Sequence, residues 1–212
     1  SFAASPLNEA KTVMKGCPMS LLDAVLGLDF STQGLAACIL DRRDFFFFFL
    51  ASLRYRFVLG LAGYQLGEVP ILPPREPGEA DQPAGLFLAA LDILLSRMAE
   101  EGQGFSRIAA IDLSAQQHGH VYLNAQGLKR MSALAQSGAG AAVQKAGGLA
   151  AWFADGFASD RAPIWMSSNA APEAAELCEK AGGAPAMLER SGSDSPARFS
   201  AEEWDARVKL AA

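Results

Sequence analysis

The chain has 212 residues and a mass of 22.4 kDa, half of them hydrophobic, with a formal net charge of −5 and a pI of about 5.1. That is enough apolar material for one large domain, and the lack of any block of Lys or Arg argues against nucleic acid as a partner. No stretch reaches the roughly 18 to 20 apolar residues of a membrane span, so no membrane partner is expected either. Cys17, Cys38 and Cys178 are odd in number and far apart. With only His118 and His120 beside them there is no zinc spacing, and thiols in a reducing cytoplasm are the expected reading.

Residues 1–18 carry Asn8, Glu9, Lys11 and Lys15 without a continuous apolar core. They read as an extension outside the fold, not as a signal peptide, which leaves 19–212 as the domain. Residues 25–30 and 35–41 alternate as two strands of a hairpin, joined by a turn that contains Ser31, Thr32, Gln33 and Gly34. Residues 45–59 suit a third strand. The five phenylalanines Phe45–Phe49 fit a strand buried on two faces or a poorly adapted segment, and are flanked by Arg42, Arg43, Arg54 and Arg56. From Pro70 to Pro83 five prolines mark a long surface loop.

Leu86, Phe87, Ala90, Leu91, Leu94 and Met98 recur at helical spacing and predict an amphipathic helix. Residues 107–113 read as a buried strand, and Val121-Tyr122-Leu123 as a partner strand beyond a turn. Residues 132–157 have weak helical character, and Ala162 to Met166 form a short strand. Asn169 is an expected helix cap, with Pro172 in the first turn and Gly182-Gly183 at the end. The whole is an α/β layer structure, and the early hairpin rules out a purely parallel sheet.

Four segments carry chemistry. In Asp29-Phe30-Ser31-Thr32-Gln33, a carboxylate and two hydroxyls stand at a tight turn. Such a turn serves either as a plain hairpin or as a phosphate cradle in which Asp29 holds hydrated magnesium. Gln116-Gln117-His118-Gly119 leaves the end of a strand and serves either to offer donors and acceptors to sugar hydroxyls or as a plain turn in which His118 or His120 satisfies backbone groups. Pro163-Ile164-Trp165-Met166 ends in hydroxyls beside an indole, and Gly192-Ser193 precedes Arg198-Phe199.

In this order the four segments resemble the FGGY carbohydrate kinases, and within them the xylulokinase-like branch, over about Val25 to Phe199. The resemblance implies an actin-like, ribonuclease H-type fold with a mixed sheet flanked by helices, and a transferase that uses ATP and Mg2+ on a ketopentose such as D-xylulose. It implies that Asp29, Ser31, Thr32 and Gln33 face the metal and phosphates, with Asp29 as metal ligand. Gln117, His118 and Arg198 would face the sugar. Residues 19–212 would be the N-terminal lobe, with the C-terminal lobe and the catalytic aspartate expected beyond Ala212. No catalytic residue is then expected within the chain, and the chain alone should be inactive.

There are departures from the family pattern. Ser167 stands where an Asp usually follows Trp-Met, Asp112 and Leu113 precede the Gln-Gln-His loop, with Leu113 set to crowd it, and Ser200–Trp204 replace the usual run. A second reading is a non-catalytic lobe that binds sugar or phosphate, or pairs with a separately encoded lobe or a second copy. A third, a two-metal nuclease built on Asp29 and Asp112, lacks the further carboxylates and the cationic surface it needs.

Overall fold

A computed structural model describes residues 23–64, 66–103, 105–194 and 196. The extension expected over 1–18 and the site residue Arg198 lie outside the described residues. The chain divides into two compact units, one holding residues up to Gly63 with Phe87–Ala115, the other Tyr64–Leu86 with the residues from Gln116 onward.

The first unit is a four-stranded mixed sheet in the order β3-β2-β1-β5. Strand β1 (Ala24–Phe30) pairs antiparallel with β2 (Gly34–Asp41), and β2 with β3 (Phe47–Arg54). Alternation produces this hairpin: Leu26 and Leu28 on β1 and Leu35, Ala37 and Ile39 on β2 are buried, with less buried residues between them. Helix α1 (Leu86–Glu100) realises the expected helical stripe, burying Ala90, Leu94 and Met98. At its start the Phe87 ring meets Phe30 and Tyr55 edge-on, at centroid distances of 6.3 Å and 6.1 Å.

Strand β5 (Ile108–Ala115) lies parallel to β1. The sequence led us to expect it buried, but it is the outermost strand and exposed almost throughout. Ile111 and Leu113 pair with Leu26 and Leu28, yet are 61% and 65% exposed. The phenylalanine run is not a strand buried on two faces. Phe45, Phe46 and Phe47 are exposed, Phe49 reaches the core, and Phe45 takes a left-handed backbone.

In the second unit, β4 (Asp81–Pro83) pairs antiparallel with β6 (Arg161–Pro163). The proline-rich segment is therefore not all surface loop: Pro70, Glu79, Asp81 and Gln82 are buried. Helices α2 (Ala125–Leu134), α3 (Ala139–Ala146), α4 (Leu149–Trp152), α5 (Ala171–Lys180) and α6 (Ala184–Ser191) complete it. Val121-Tyr122-Leu123 is not a strand. Only a single bridge joins Leu123 to Phe157, because Asn124 already caps α2 by accepting from the Gln126 and Gly127 N–H groups. Asn169 does not cap α5, whose N-cap is Ala170; its amide accepts from the Ser167 hydroxyl and donates to Glu76. Trp165 and Met166 fall in a turn after β6 and not in the strand.

Candidate functional site

The Asp29 turn belongs to the first unit. Asp29, the penultimate residue of β1, is exposed, and its register partners are Ala36 on β2 and Ser114 on β5. The turn is closed twice, by the Ser31 N–H donating to the Gly34 carbonyl at 2.9 Å and by the Ser31 hydroxyl donating to the same oxygen at 3.0 Å. The Gly34 N–H donates back to the Ser31 hydroxyl at 3.1 Å, so this hydroxyl is engaged within the turn. Thr32 and Gln33 stand at its tip.

Gly34 is required by close approach: a Cβ there would lie 2.4 Å from the Leu53 carbonyl oxygen. Tyr55, just past β3, braces the turn from outside by donating through its hydroxyl to the Ser31 carbonyl and through its N–H to the Gln33 carbonyl. Burial, and then the Asp29 carboxylate, push the Tyr55 phenol far above its ordinary pKa, so it remains a donor at any working pH.

One exposed carboxylate beside a turn of this kind fits magnesium, which keeps several waters and takes one or two protein carboxylates plus phosphate oxygens. Among the described residues there is no group of three or more His, Cys, Asp or Glu placed to hold a metal. Asp112 shares the sheet face of Asp29, opposite Gly27, but its carboxylate accepts from the Leu113 N–H.

The Gln-Gln-His-Gly loop belongs to the second unit and is fixed on both sides of His118. On one side the Gln116 amide donates to Gln82 at 2.8 Å, and Gln82 in turn donates to the Pro70 carbonyl at 3.0 Å. On the other side the His120 N–H donates to the Pro163 carbonyl at 3.1 Å, and its ring stacks on Tyr122 at 6.1 Å. Between these anchors His118 has φ of 57°, a left-handed conformation that a non-glycine residue holds only when its surroundings enforce it. The side chain of Gln116 is directed inward and Gln117 is exposed, which separates the two glutamines by role.

The same unit brings the Pro163–Ser167 segment beside this loop. Trp165 and Met166 are half exposed, so the indole is not a core residue. Ser167 is buried; it donates to Asn169 at 2.8 Å and accepts from the Ala80 N–H at 3.4 Å, which makes it an organiser of the turn.

Sequence reasoning missed Gln82, Tyr55 and Ser167 as supports. A polar residue between Asp81 and Pro83 in a proline-rich segment carries no local sign of burial, and Tyr55 read as one more apolar position in the third strand. In the sites reached by the structure, Asp29, Ser31, Thr32 and Gln33 come together in one turn, and Gln117 and His118 in one loop.

A hairpin-led mixed sheet with a parallel strand beside β1, in a chain that also carries flanking helices, is the actin-like, ribonuclease H-type ATPase fold. Comparison with known proteins narrows the class. The chain is similar to xylulose kinases: it is 30% identical over 178 residues to the xylulose kinase of Rattus norvegicus, covering 84% of this chain and 31% of that protein. Two solved structures share its fold. The xyloylose kinase from Brucella ovis matches with a TM-score of 0.57 at 22% identity, over 88% of this chain and 30% of that one. The xylulose kinase from Bifidobacterium adolescentis matches with a TM-score of 0.53 at 18% identity, over 87% and 29%. No family model matches. The chain spans about a third of the length of the curated relative it matches, 31% of it.

Proposed function

We propose that residues 19–212 form the sugar-binding lobe of an ATP-dependent kinase acting on a ketopentose such as D-xylulose. One observation carries the reading. Strands β1 and β5 run parallel and finish together, Phe30 opposite Ala115, so the Asp29 turn and the exit of β5 share one end of the sheet. That end is where open α/β sheets bind ligands.

In this reading Asp29 holds hydrated magnesium, and the turn through Ser31, Thr32 and Gln33 faces the terminal phosphates. Gln117, His118 and Arg198 hydrogen-bond the sugar hydroxyls. Bound magnesium supplies charge neutralisation for the transferred phosphoryl group. The chain's own residues supply binding and orientation, and none of them is assigned the base that takes the hydroxyl proton. The 212-residue chain by itself therefore binds without turnover. Calorimetry with D-xylulose, with and without ATP–magnesium, and coupled ADP release test both halves. Sugar-dependent ADP release at the rate of a whole kinase overturns the inactivity, and no sugar binding at all overturns the lobe reading.

The exposed strand β5 supports a second reading, a lobe that pairs with a separately encoded lobe or with a second copy. Ile111 and Leu113 stand exposed on the face that Leu26 and Leu28 bury, an apolar surface of the kind that marks interaction. Size-exclusion chromatography separates it from a lone monomer.

A further inference from the structure

We infer that Gln82 is the positioning residue of the sugar loop: it draws Gln116 inward, leaves Gln117 exposed, and so sets the loop at His118. The assignment rests on the proposed reading of that loop as sugar-facing. Gln82 is fully buried on β4, a strand of three residues, in a segment rich in proline. An amide in that position must satisfy its donors and its acceptor internally or lose stability. Its amide nitrogen is spent on the Pro70 carbonyl at 3.0 Å, and its oxygen takes the Gln116 amide at 2.8 Å. The oxygen thus selects the one loop side chain that must point in.

The selection has a consequence two residues on. His118 stays in a left-handed conformation only while the loop is held on both sides, by Gln82 at Gln116 and by the Pro163 carbonyl at His120. Strand β4 is itself paired with β6, Gln82 opposite Ala162 and Asp81 opposite Pro163, so both anchors sit on one two-stranded ribbon. A loop tied twice to one ribbon has its ligand-facing residues ordered before any ligand arrives, which reduces the entropy cost of binding. Neither Gln82 nor Pro70 needs to touch the sugar.

The test uses the 212-residue chain and the variant Gln82→Met, which keeps the volume and removes the amide's bonds to Pro70 and Gln116. Amide hydrogen exchange, read without ligand, is expected to quicken by roughly tenfold at residues 117–119, the scale of one lost buried hydrogen bond, with D-xylulose affinity weakened by a similar factor. Asn124→Ala, which removes the α2 cap, is the control for general loosening of the same unit. It should lower the unfolding midpoint while leaving exchange at 117–119 as in the parent. If Gln82→Met does not fold, Gln116→Met breaks the same bond from the loop side and gives the same exchange pattern.

Parent-like exchange at 117–119 in the Gln variants, or loosening there equal to that of Asn124→Ala, overturns the assignment. Should the parent chain fail to bind D-xylulose, the sugar reading falls, and the exchange arm alone still decides whether Gln82 positions the loop.

Discussion

The hydroxyl of Tyr55 donates to the carbonyl of Ser31 at 3.2 Å, tying the residue after β3 to the first residue of the turn between β1 and β2. Removing that oxygen alone, Tyr55→Phe, keeps the ring against Phe87 and leaves the Ser31 carbonyl without this donor. The loss should be about 1 kcal/mol, the usual net value of one such bond, seen as a lower denaturation midpoint with an unchanged slope. ATP–magnesium affinity should weaken with it, because the turn proposed to face the phosphates has lost its brace. An unchanged midpoint together with unchanged affinity would show that the brace carries no load.

Asp41 provides a prediction in pH. The guanidinium of Arg43, at 2.7 Å and 3.1 Å from its two oxygens, and then the Arg43 N–H, hold the Asp41 carboxyl down at about 2 from 3.8. A carboxyl with a depressed pKa in the folded state contributes stability that is whole above its unfolded value. That contribution is lost as pH falls from about 3.8 toward about 2. Arg43→Leu should raise the titration midpoint of Asp41 toward the ordinary carboxylate range, read by carboxyl NMR, and shift acid unfolding to higher pH. Asp23, which also receives Arg107 at 3.1 Å, keeps that ion pair in the variant.

Arg161 lies 3.0 Å from Asp81 and 3.3 Å from Glu79, and donates to the Pro73 carbonyl at 2.8 Å, with all three charged side chains buried. Burial alone would raise the Glu79 pKa; the Arg75 N–H, the Asp81 side chain, Arg161 and the Arg75 charge outweigh it, and the carboxyl sits below its ordinary value. Arg161→Met leaves two carboxylates buried without their cation, a change that typically costs about 3–5 kcal/mol. The sign of the pH effect then reverses. Uncompensated buried carboxyls have raised pKa values, so the variant's loss should be largest near neutral pH and shrink as acid protonates them. Urea denaturation at neutral and at acidic pH measures the difference, and a loss independent of pH would deny the carboxylates this part.

The hairpin and α1 were legible because their signal is local: Leu26 and Leu28 alternate with the residues of the other face, and Ala90, Leu94 and Met98 recur every four. The turn at Ser31 was legible for the same reason. What failed depended on distant partners. Val121-Tyr122-Leu123 has strand-forming side chains, but Asn124 spends its side chain on the cap of α2 and on the Asp155 and Phe157 carbonyls, which ends any strand there. Gln82 is buried because Pro70 and Gln116, 12 and 34 residues away, satisfy it. The apolar run of β5 predicted burial, whereas its place at the outer side of the sheet order decides its exposure.

Gly34 tests the proposed phosphate turn separately from the proposed sugar loop. A methyl group there would meet the Leu53 carbonyl oxygen at 2.4 Å and the Leu53 carbonyl carbon at 3.4 Å, both of them backbone on the neighbouring strand. Backbone cannot rotate aside as a long side chain does, so Gly34→Ala must part β2 from β3 at its Arg54 pairing, next to Tyr55. Overpacking of this kind costs about 1–3 kcal/mol. Because Ser31 bonds Gly34 through both its N–H and its hydroxyl, the displacement reaches the proposed phosphate turn directly. Gln117 and His118 belong to the other unit, held by Gln82 and Pro163. The variant should therefore lose ATP–magnesium affinity by roughly tenfold, the size of a kilocalorie-scale disturbance, while D-xylulose affinity stays within error. Calorimetric titration of each ligand alone makes the comparison. Equal loss for both ligands would mean that the turn and the loop do not bind separately.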